Sequence, residues 1–309
     1  MLKIENLSKF YGDYLALDSL SIEVEKGSIC GFVGPNGAGK TTLFRIIATL
    51  LKTTTGKVYV DDIDIEKKPD LVRNMVGYMP DFFGVYDDLK VEEYLTFYAE
   101  LNQVSSIEIA HKIEDLLDLV GLSDKRYVYV DALSRGMKQR LCLARALMHD
   151  PKILILDEPA SGMDPRARVH MKNILKELKK REKTILISSH ILPEISEICD
   201  QIIVLEKGKV VVEDTVANII NKGTERNTVV IKALDRSDAL RKLLHTLSIV
   251  EDFEQEDNVF RVHVKGPVES QAYLVTHIVQ SGIPIYHFAS EVEDLEDIFM
   301  KITKGEEYD

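Results

Sequence analysis

An α/β fold built on a mixed sheet, followed by a small α+β domain, is what the 309 residues predict. Three observations carry that reading. Residues 34–42 form a glycine-rich turn between an apolar strand pattern and an apolar helix pattern. Ile153-Leu154-Ile155-Leu156 and Thr184-Ile185-Leu186-Ile187-Ser188 are short apolar runs of the kind that fill the centre of a parallel sheet. Beyond residue 227 the predicted order becomes β-α-β-β-α-β, that of a ferredoxin-like sandwich.

Composition sets the outer limits. The length suits about two domains, and 45% hydrophobic with 29% charged residues is ordinary for a soluble globular protein. No apolar run approaches the roughly 20 residues of a membrane span. The start, Met1-Leu2-Lys3-Ile4-Glu5, lacks the basic and apolar regions of a signal peptide. A cytosolic chain that reaches a membrane only through a partner is therefore expected. Cys30, Cys142 and Cys199 stand singly among apolar neighbours and read as core residues, not as a metal or redox site. A net charge of −12 argues against broad nucleic-acid binding, which needs a basic face.

Along the chain, residues 2–7 and 21–24 alternate like antiparallel strands, and Glu25-Lys26-Gly27 turns the second into the strand at 28–33. Before that turn lies Phe10-Tyr11-Gly12-Asp13-Tyr14, where Tyr11 is either a stacking platform for a base or a hydrophobic plug. Gly34-Pro35-Asn36-Gly37-Ala38-Gly39-Lys40-Thr41-Thr42 then places two glycines five apart ahead of Lys and Thr, the Walker A pattern. Glycine lets the backbone turn sharply and lets peptide N–H groups close around an anion. The positive end of the following helix points at the same anion. Lys40 is placed to reach the β- and γ-phosphates, and the Thr41 hydroxyl to bind Mg²⁺. A chance glycine turn with a solvated lysine is the competing reading, and the strand-before, helix-after setting counts against it.

Further strands are predicted at 56–60 and 75–79, the second ended by Pro80. Two helices follow an aromatic-rich turn at 81–89, and the later one carries Ile109, Ile113, Leu116, Leu117 and Val120 as a core-facing stripe. Residues 81–140 thus read as a helical subdomain interrupting the strand series. Ser134 is a natural N-cap for the helix carrying Leu141, Ala144 and Leu147, which makes a second helix N-terminus suited to an anion. Asp150-Pro151 ends that helix and launches the strand 153–156, with Asp157 and Glu158 at its carboxyl end. Open α/β sheets bind ligands at that edge; a solvated carboxylate pair is the alternative.

Asp164 and Pro165 start a long helix that buries Met171, Ile174, Leu175 and Leu178. Ser189 and His190 end the strand 184–188. A helix over 192–199, strands at 202–205 and 209–212, and a short helix after Thr215 complete a domain at 1–220. Polar residues 221–227 read as a linker to a domain at 228–309. That domain holds strands at 228–232, 249–253, 259–264 and 284–289, helices through Leu240 to Leu247 and over 269–279, and a last amphipathic helix with Leu295, Ile298, Phe299 and Ile302. It shows no chemical motif, which leaves binding, dimerisation or regulation as its roles.

With these segments in order, residues 1–220 resemble the nucleotide-binding subunit of ABC transporters. Residues 34–42 match Walker A, 133–140 look like the signature loop, 153–158 look like Walker B, 161–164 are similar to the D-loop, and His190 is similar to the switch histidine. The resemblance implies a P-loop NTPase of ABC type, with ATP and Mg²⁺ as cofactors. It implies adenine stacking on Tyr11 and triphosphate contacts from Gly34, Pro35, Asn36, Gly37, Ala38, Gly39, Lys40, Thr41 and Thr42. Mg²⁺ would be held through Thr41, Asp157 and, at the Q-loop position, Asp81. Glu158 would polarise a water for in-line attack on the γ-phosphate, and His190 would contact that phosphate or orient the water. Two subunits would close head to tail, so that Ser134 and the N–H of Gly136 grip the ATP of the partner, with Asp164 of the D-loop-like segment also counted among the nucleotide-binding residues. The implied partners are a second ATP-binding subunit, by default a copy of this chain, and polytopic permease subunits at the cytoplasmic face of the cell membrane.

Departures are local. Arg135 and Met137 stand where the family has Gly and Gln, and Asp81 stands where it has Gln. Phe82, Phe83 and Tyr86 either receive a membrane partner's coupling helix or fill the subdomain's own core. One cassette followed by a small α+β domain looks most like the ATPase of an export system. The alternative is a soluble ABC ATPase acting on ribosomes or DNA, against which the single cassette and acidic composition count. A GTPase is rejected, because Asn221-Lys222-Gly223-Thr224 lacks the Asp that guanine recognition needs at Thr224.

Overall fold

The first two strands, β1 (Leu2–Tyr11) and β2 (Tyr14–Val24), form one long hairpin closed by Gly12 and Asp13. They run further than their alternation predicts because the register slips at Ile4/Leu7, Leu7/Lys9 and Lys9/Phe10, with Asn6 and Ser19 in the left-handed region. A bulge of this kind breaks period two without breaking the pairing. The computed structural model describes the chain except for residues 83, 85, 87, 192–194, 224–226, 236, 267–268 and 291–309. The chain divides into two compact units, Met1–Val216 and Ala217–Asp309.

In the first unit, β1 and β2 join β4 (Thr55–Val60) and β5 (Ile63–Asp64) in an antiparallel sheet of order β2-β1-β4-β5. The second sheet contains β3 (Ile29–Val33), β6 (Val76–Met79), β7 (Ile153–Leu156), β8 (Thr184–Ser189), β9 (Gln201–Glu206) and β10 (Lys209–Thr215), in the order β10-β9-β3-β8-β7-β6. From β9 to β6 every neighbour is parallel, and only β10 is antiparallel. Every residue of β3, β7 and β8 is buried, which is why these strands read as continuous apolar runs. Helix α1 (Lys40–Ile47) buries Leu43, Phe44, Ile46 and Ile47 in one cluster shared with both sheets, Phe44 meeting Phe32 edge-on at 5.2 Å.

After the short α2 (Pro69–Arg73) and β6 come α3 (Val91–Leu101), α4 (Ser106–Leu119) and α5 (Arg135–Ala146). The predicted α4 stripe is buried at Ile113, Leu116, Leu117 and Val120, but Ile109 is only half-buried. Helix α6 (Pro165–Lys180) buries Met171, Ile174, Leu175 and Leu178. Residues 192–194 of the helix expected at 192–199 lie outside the described residues, and Ile195 and Ser196 are helical. The three cysteines are buried or half-buried; burial raises all three thiols, Cys142 to about 11, so none is poised as a thiolate.

The linker expected at 221–227 is helical in its first three residues, and residues 224–226 lie outside the described ones. Helix α7 (Val216–Gly223) takes in Asn221, Lys222 and Gly223, and Asn227 opens the next strand. Val216, Ile219 and Ile220 have helical spacing, which carries the helix on into polar residues that composition alone marks as a loop. The second unit contains β11 (Asn227–Ala233), α8 (Ser237–Thr246), β12 (Val250–Glu256), β13 (Val259–Val264), α9 (Glu269–Gln280) and β14 (Ile285–Ser290). Its sheet order is β12-β13-β11-β14 with every pair antiparallel, the ferredoxin-like arrangement. Val229, Ile231, Phe260 and Val262 meet Leu240, Leu244, Leu274 and Ile278 in a core of its own. The last predicted helix, with Leu295, Ile298, Phe299 and Ile302, lies outside the described residues.

Candidate functional site

Buried β3 delivers the chain to Gly34, and α1 begins at Lys40. A Cβ at Gly34 would sit 2.1 Å from the carbonyl oxygen of Leu205, so the strand beside the loop forbids any side chain there. Gly39, the N-cap of α1, has φ 106°, and a Cβ would meet the Leu17 side chain at 2.6 Å and the Ala16 carbonyl at 2.8 Å. Both glycines are thus required by close approach, and Gly39 also by its backbone angle. The result is a peptide cradle at a helix N-terminus, the geometry that receives phosphate.

Residues 36–42 line an open cleft of about 650 Å³ together with Tyr11, Tyr14, Ala16, Asp81 and Glu158. Lys40 is only 6% exposed, and its ammonium donates to the carbonyls of Gly34 (2.5 Å) and Pro35 (3.3 Å). Burial pushes its pKa below the ordinary lysine value, and the charges of Glu158 and Asp157 pull it back up. An anion in the cleft would compete with those carbonyls for the ammonium. Tyr11 and Tyr14 face each other across the hairpin end, 46% and 61% exposed, with the Lys9 ammonium 5.5 Å from the Tyr11 ring. Tyr11 is thus half-exposed on the lining of the cleft, where a base could reach its ring.

At the carboxyl end of β7, Asp157 is 1% exposed; its Oδ1 accepts from the Ser188 hydroxyl at 2.7 Å, and among the described residues its Oδ2 has no hydrogen-bond partner. Glu158 adopts φ 50° and donates its backbone N–H to the same hydroxyl at 2.9 Å. Its carboxylate reaches two ways: Oε1 lies 3.8 Å from the Lys40 ammonium, and Oε2 lies 2.9 Å from Nδ1 of His190. The imidazole of this pair is exposed and the carboxylate is mostly buried. A buried carboxylate oxygen without a donor is costly unless a cation or water meets it, so Asp157 fits a divalent metal. Among the described residues no group of three or more His, Cys, Asp or Glu could hold a metal alone. Mg²⁺ needs no such cage, since it keeps waters and takes phosphate oxygens beside one or two side chains; the oxygen donors of Thr41, Asp81 and Asp157 suit it.

Ser134, Gly136 and Asp164 do not line this cleft. Ser134 caps α5, accepting from the Met137 N–H at 3.4 Å, and Asp164 caps α6, accepting from the Ala167 N–H at 3.0 Å. Gly136 packs against Ala167, and the Arg135 guanidinium lies over Gly162, where a Cβ would stand 2.5 to 2.8 Å from it. Buried Gln139 donates to the Ser161 carbonyl at 2.9 Å, tying α5 to the loop before α6. Phe82 is 90% exposed and fills no core; Tyr86 is half-exposed but meets Phe97 edge-on at 5.7 Å, and Phe83 lies outside the described residues. Sequence reasoning missed Tyr14 and Ser188. Tyr14 carries the same exposed-aromatic signal as Tyr11, whereas Ser188 is indistinguishable by pattern from the other residues of a buried strand.

A glycine cradle at a helix N-terminus beside a buried Asp-Glu pair on a parallel sheet defines a P-loop nucleoside triphosphatase. Residues 17–161 match the ABC transporter family, and residues 218–303 match the family described as ATP-binding protein DrrA1-3-like, C-terminal domain. The chain is 32% identical over 306 residues to the Nod factor export ATP-binding protein I of Cupriavidus metallidurans, covering 99% of this chain and 98% of the relative. The methionine import ATP-binding protein MetN of Haemophilus influenzae is 40% identical over 235 residues, 73% of this chain and 68% of the relative. A solved dimeric ATP-binding cassette in a post-hydrolysis state, bound to ADP and Pi, superposes with a TM-score of 0.64 at 26% identity, covering 70% of this chain and 99% of that one. The chain belongs to the ATP-binding subunits of ABC transporters, proteins that bind ATP and hydrolyse it.

Proposed function

We propose that this subunit drives export through separate permease chains, and that Glu158 is the base of its hydrolytic site. The convergence of Lys40, Glu158 and His190 carries the reading, with the carboxylate 3.8 Å from the ammonium and 2.9 Å from the imidazole. Lys40 and the N–H groups of residues 36–42 hold the triphosphate, and Tyr11 stacks on the adenine. Glu158 takes the proton of a water aligned on the γ-phosphate, and His190 keeps that carboxylate and the phosphate in register. Mg²⁺, held by Thr41, Asp157 and Asp81, would supply charge neutralisation at the phosphates. In this reading Ser134, Gly136 and Asp164, at the capped starts of α5 and α6, serve the ATP of a second copy.

Export is favoured by extent of likeness, since the Nod factor export relative aligns with 99% of the chain and the methionine import relative with 73% of it. No described helix is long and apolar enough to cross a membrane. In this reading the permease partner brings the subunit to the cytoplasmic face. Replacing Glu158 by Gln is predicted to keep ATP binding while slowing phosphate release by about 10²–10⁴. Near-normal turnover would move the base elsewhere. Copurification of the intact chain with a polytopic membrane protein is expected; recovery with ribosomes or DNA alone would overturn the transport reading.

A further inference from the structure

We propose that Ser188 is a positioning residue for hydrolysis, its one hydroxyl orienting the metal-facing carboxylate of Asp157 and the backbone of Glu158 together. Leu156 on β7 pairs with Ile187 on β8, so the next residues, Asp157 and Ser188, continue that register past the end of β7. Ser188 is fully buried and no solvent competes for its hydroxyl. A carboxylate can only accept and a peptide N–H can only donate, so the two partners determine the hydroxyl's orientation. Its proton goes to Asp157 Oδ1 at 2.7 Å, and a lone pair takes the Glu158 N–H at 2.9 Å.

Two consequences follow for the site. With Oδ1 engaged, the rotamer of Asp157 is held and Oδ2 is the oxygen left over for a cation, which matches its lack of any partner among the described residues. Glu158 sits at φ 50°, a region a residue with a side chain enters only when its surroundings hold it there. The bond to Ser188 is one such hold, and it sets the direction in which the carboxylate leaves the backbone towards His190, two residues beyond Ser188. A partner of this kind tunes a metal ligand without touching the metal.

The inference rests on reading Asp157 as the metal carboxylate and Glu158 as the base. Its test uses the full chain and a fluorescent ATP analogue, with the Mg²⁺ concentration at half-maximal binding as the readout beside phosphate release. Ser188→Ala is expected to raise that Mg²⁺ midpoint by about 10- to 100-fold, with unchanged affinity for the analogue in EDTA. Ser188→Thr, which keeps the hydroxyl, is expected to restore the midpoint. A folded Ala variant with an unchanged Mg²⁺ midpoint overturns the proposal, as does a Thr variant that binds Mg²⁺ no better than Ala. Should the Ala variant fail to fold, Ser188→Cys, with its weaker donor, takes its place under the same criterion. Asp157→Asn serves as the control: a shift there without one at Ser188 sinks this inference alone, and no shift at Asp157 sinks the metal reading beneath it.

Discussion

Lys40 and Tyr11 meet a nucleotide with opposite kinds of force. The lysine is buried, its charge held in a site where carbonyls and two carboxylates compensate for lost water. The tyrosine is exposed and offers only a ring face. Stacking of a base on an aromatic ring is worth about 1–3 kcal/mol, so Tyr11→Ala is predicted to weaken ATP binding by roughly tenfold. Inorganic tripolyphosphate, which has no base, should bind the variant and the parent alike in calorimetry, and Tyr11→Phe should behave like the parent. Equal loss for both ligands would mean that the substitution disturbs the loop and that stacking plays no part.

Helix N-termini are the working elements of the first unit. Helix α1 points into the cleft of its own chain through the glycine cradle, whereas α5 and α6 present Ser134 and Asp164 elsewhere. Gln139 ties α5 to the loop before α6 and Arg135 lies over that loop at Gly162, which brings the two capped ends close together. A site completed by these ends from a second copy predicts complementation. Ser134→Arg and Lys40→Ala are each expected to abolish ATP hydrolysis alone, and a mixture should recover activity, because one of its two composite sites pairs an intact lysine with an intact serine. Mixtures as inactive as their components would refute assembly in trans.

At the scale of the molecule, the chain divides into two compact units, and each has buried apolar clusters of its own. Only the first contains the cradle, so ATP should stabilise one unit and not the other. Scanning calorimetry of the full chain is predicted to show two transitions, with ATP at a hundred times its Kd stabilising the first unit by about 2.7 kcal/mol and leaving the second unmoved. A single transition that shifts as a whole would show the units to be energetically coupled.

Local chemistry determined what could be read before any fold was known. Glycines at fixed spacing before Lys40, the apolar runs at 153–156 and 184–188 with polar residues at their ends, and the capping residues Ser134 and Asp164 each declare themselves within a few positions. The β-α-β-β-α-β order likewise follows from period and turn signals. Tertiary structure alone decided the rest. The bulged hairpin hides its own alternation, the polar residues 221–223 join a helix begun by apolar ones, and Gly162 turns at φ 69° under the guanidinium of Arg135, 27 positions earlier. Ser188 meets Asp157 and Glu158 only because β7 and β8 are neighbours in a parallel sheet. Such contacts depend on which strands lie side by side, and that is settled by burial summed over the whole core, which no short stretch of sequence contains.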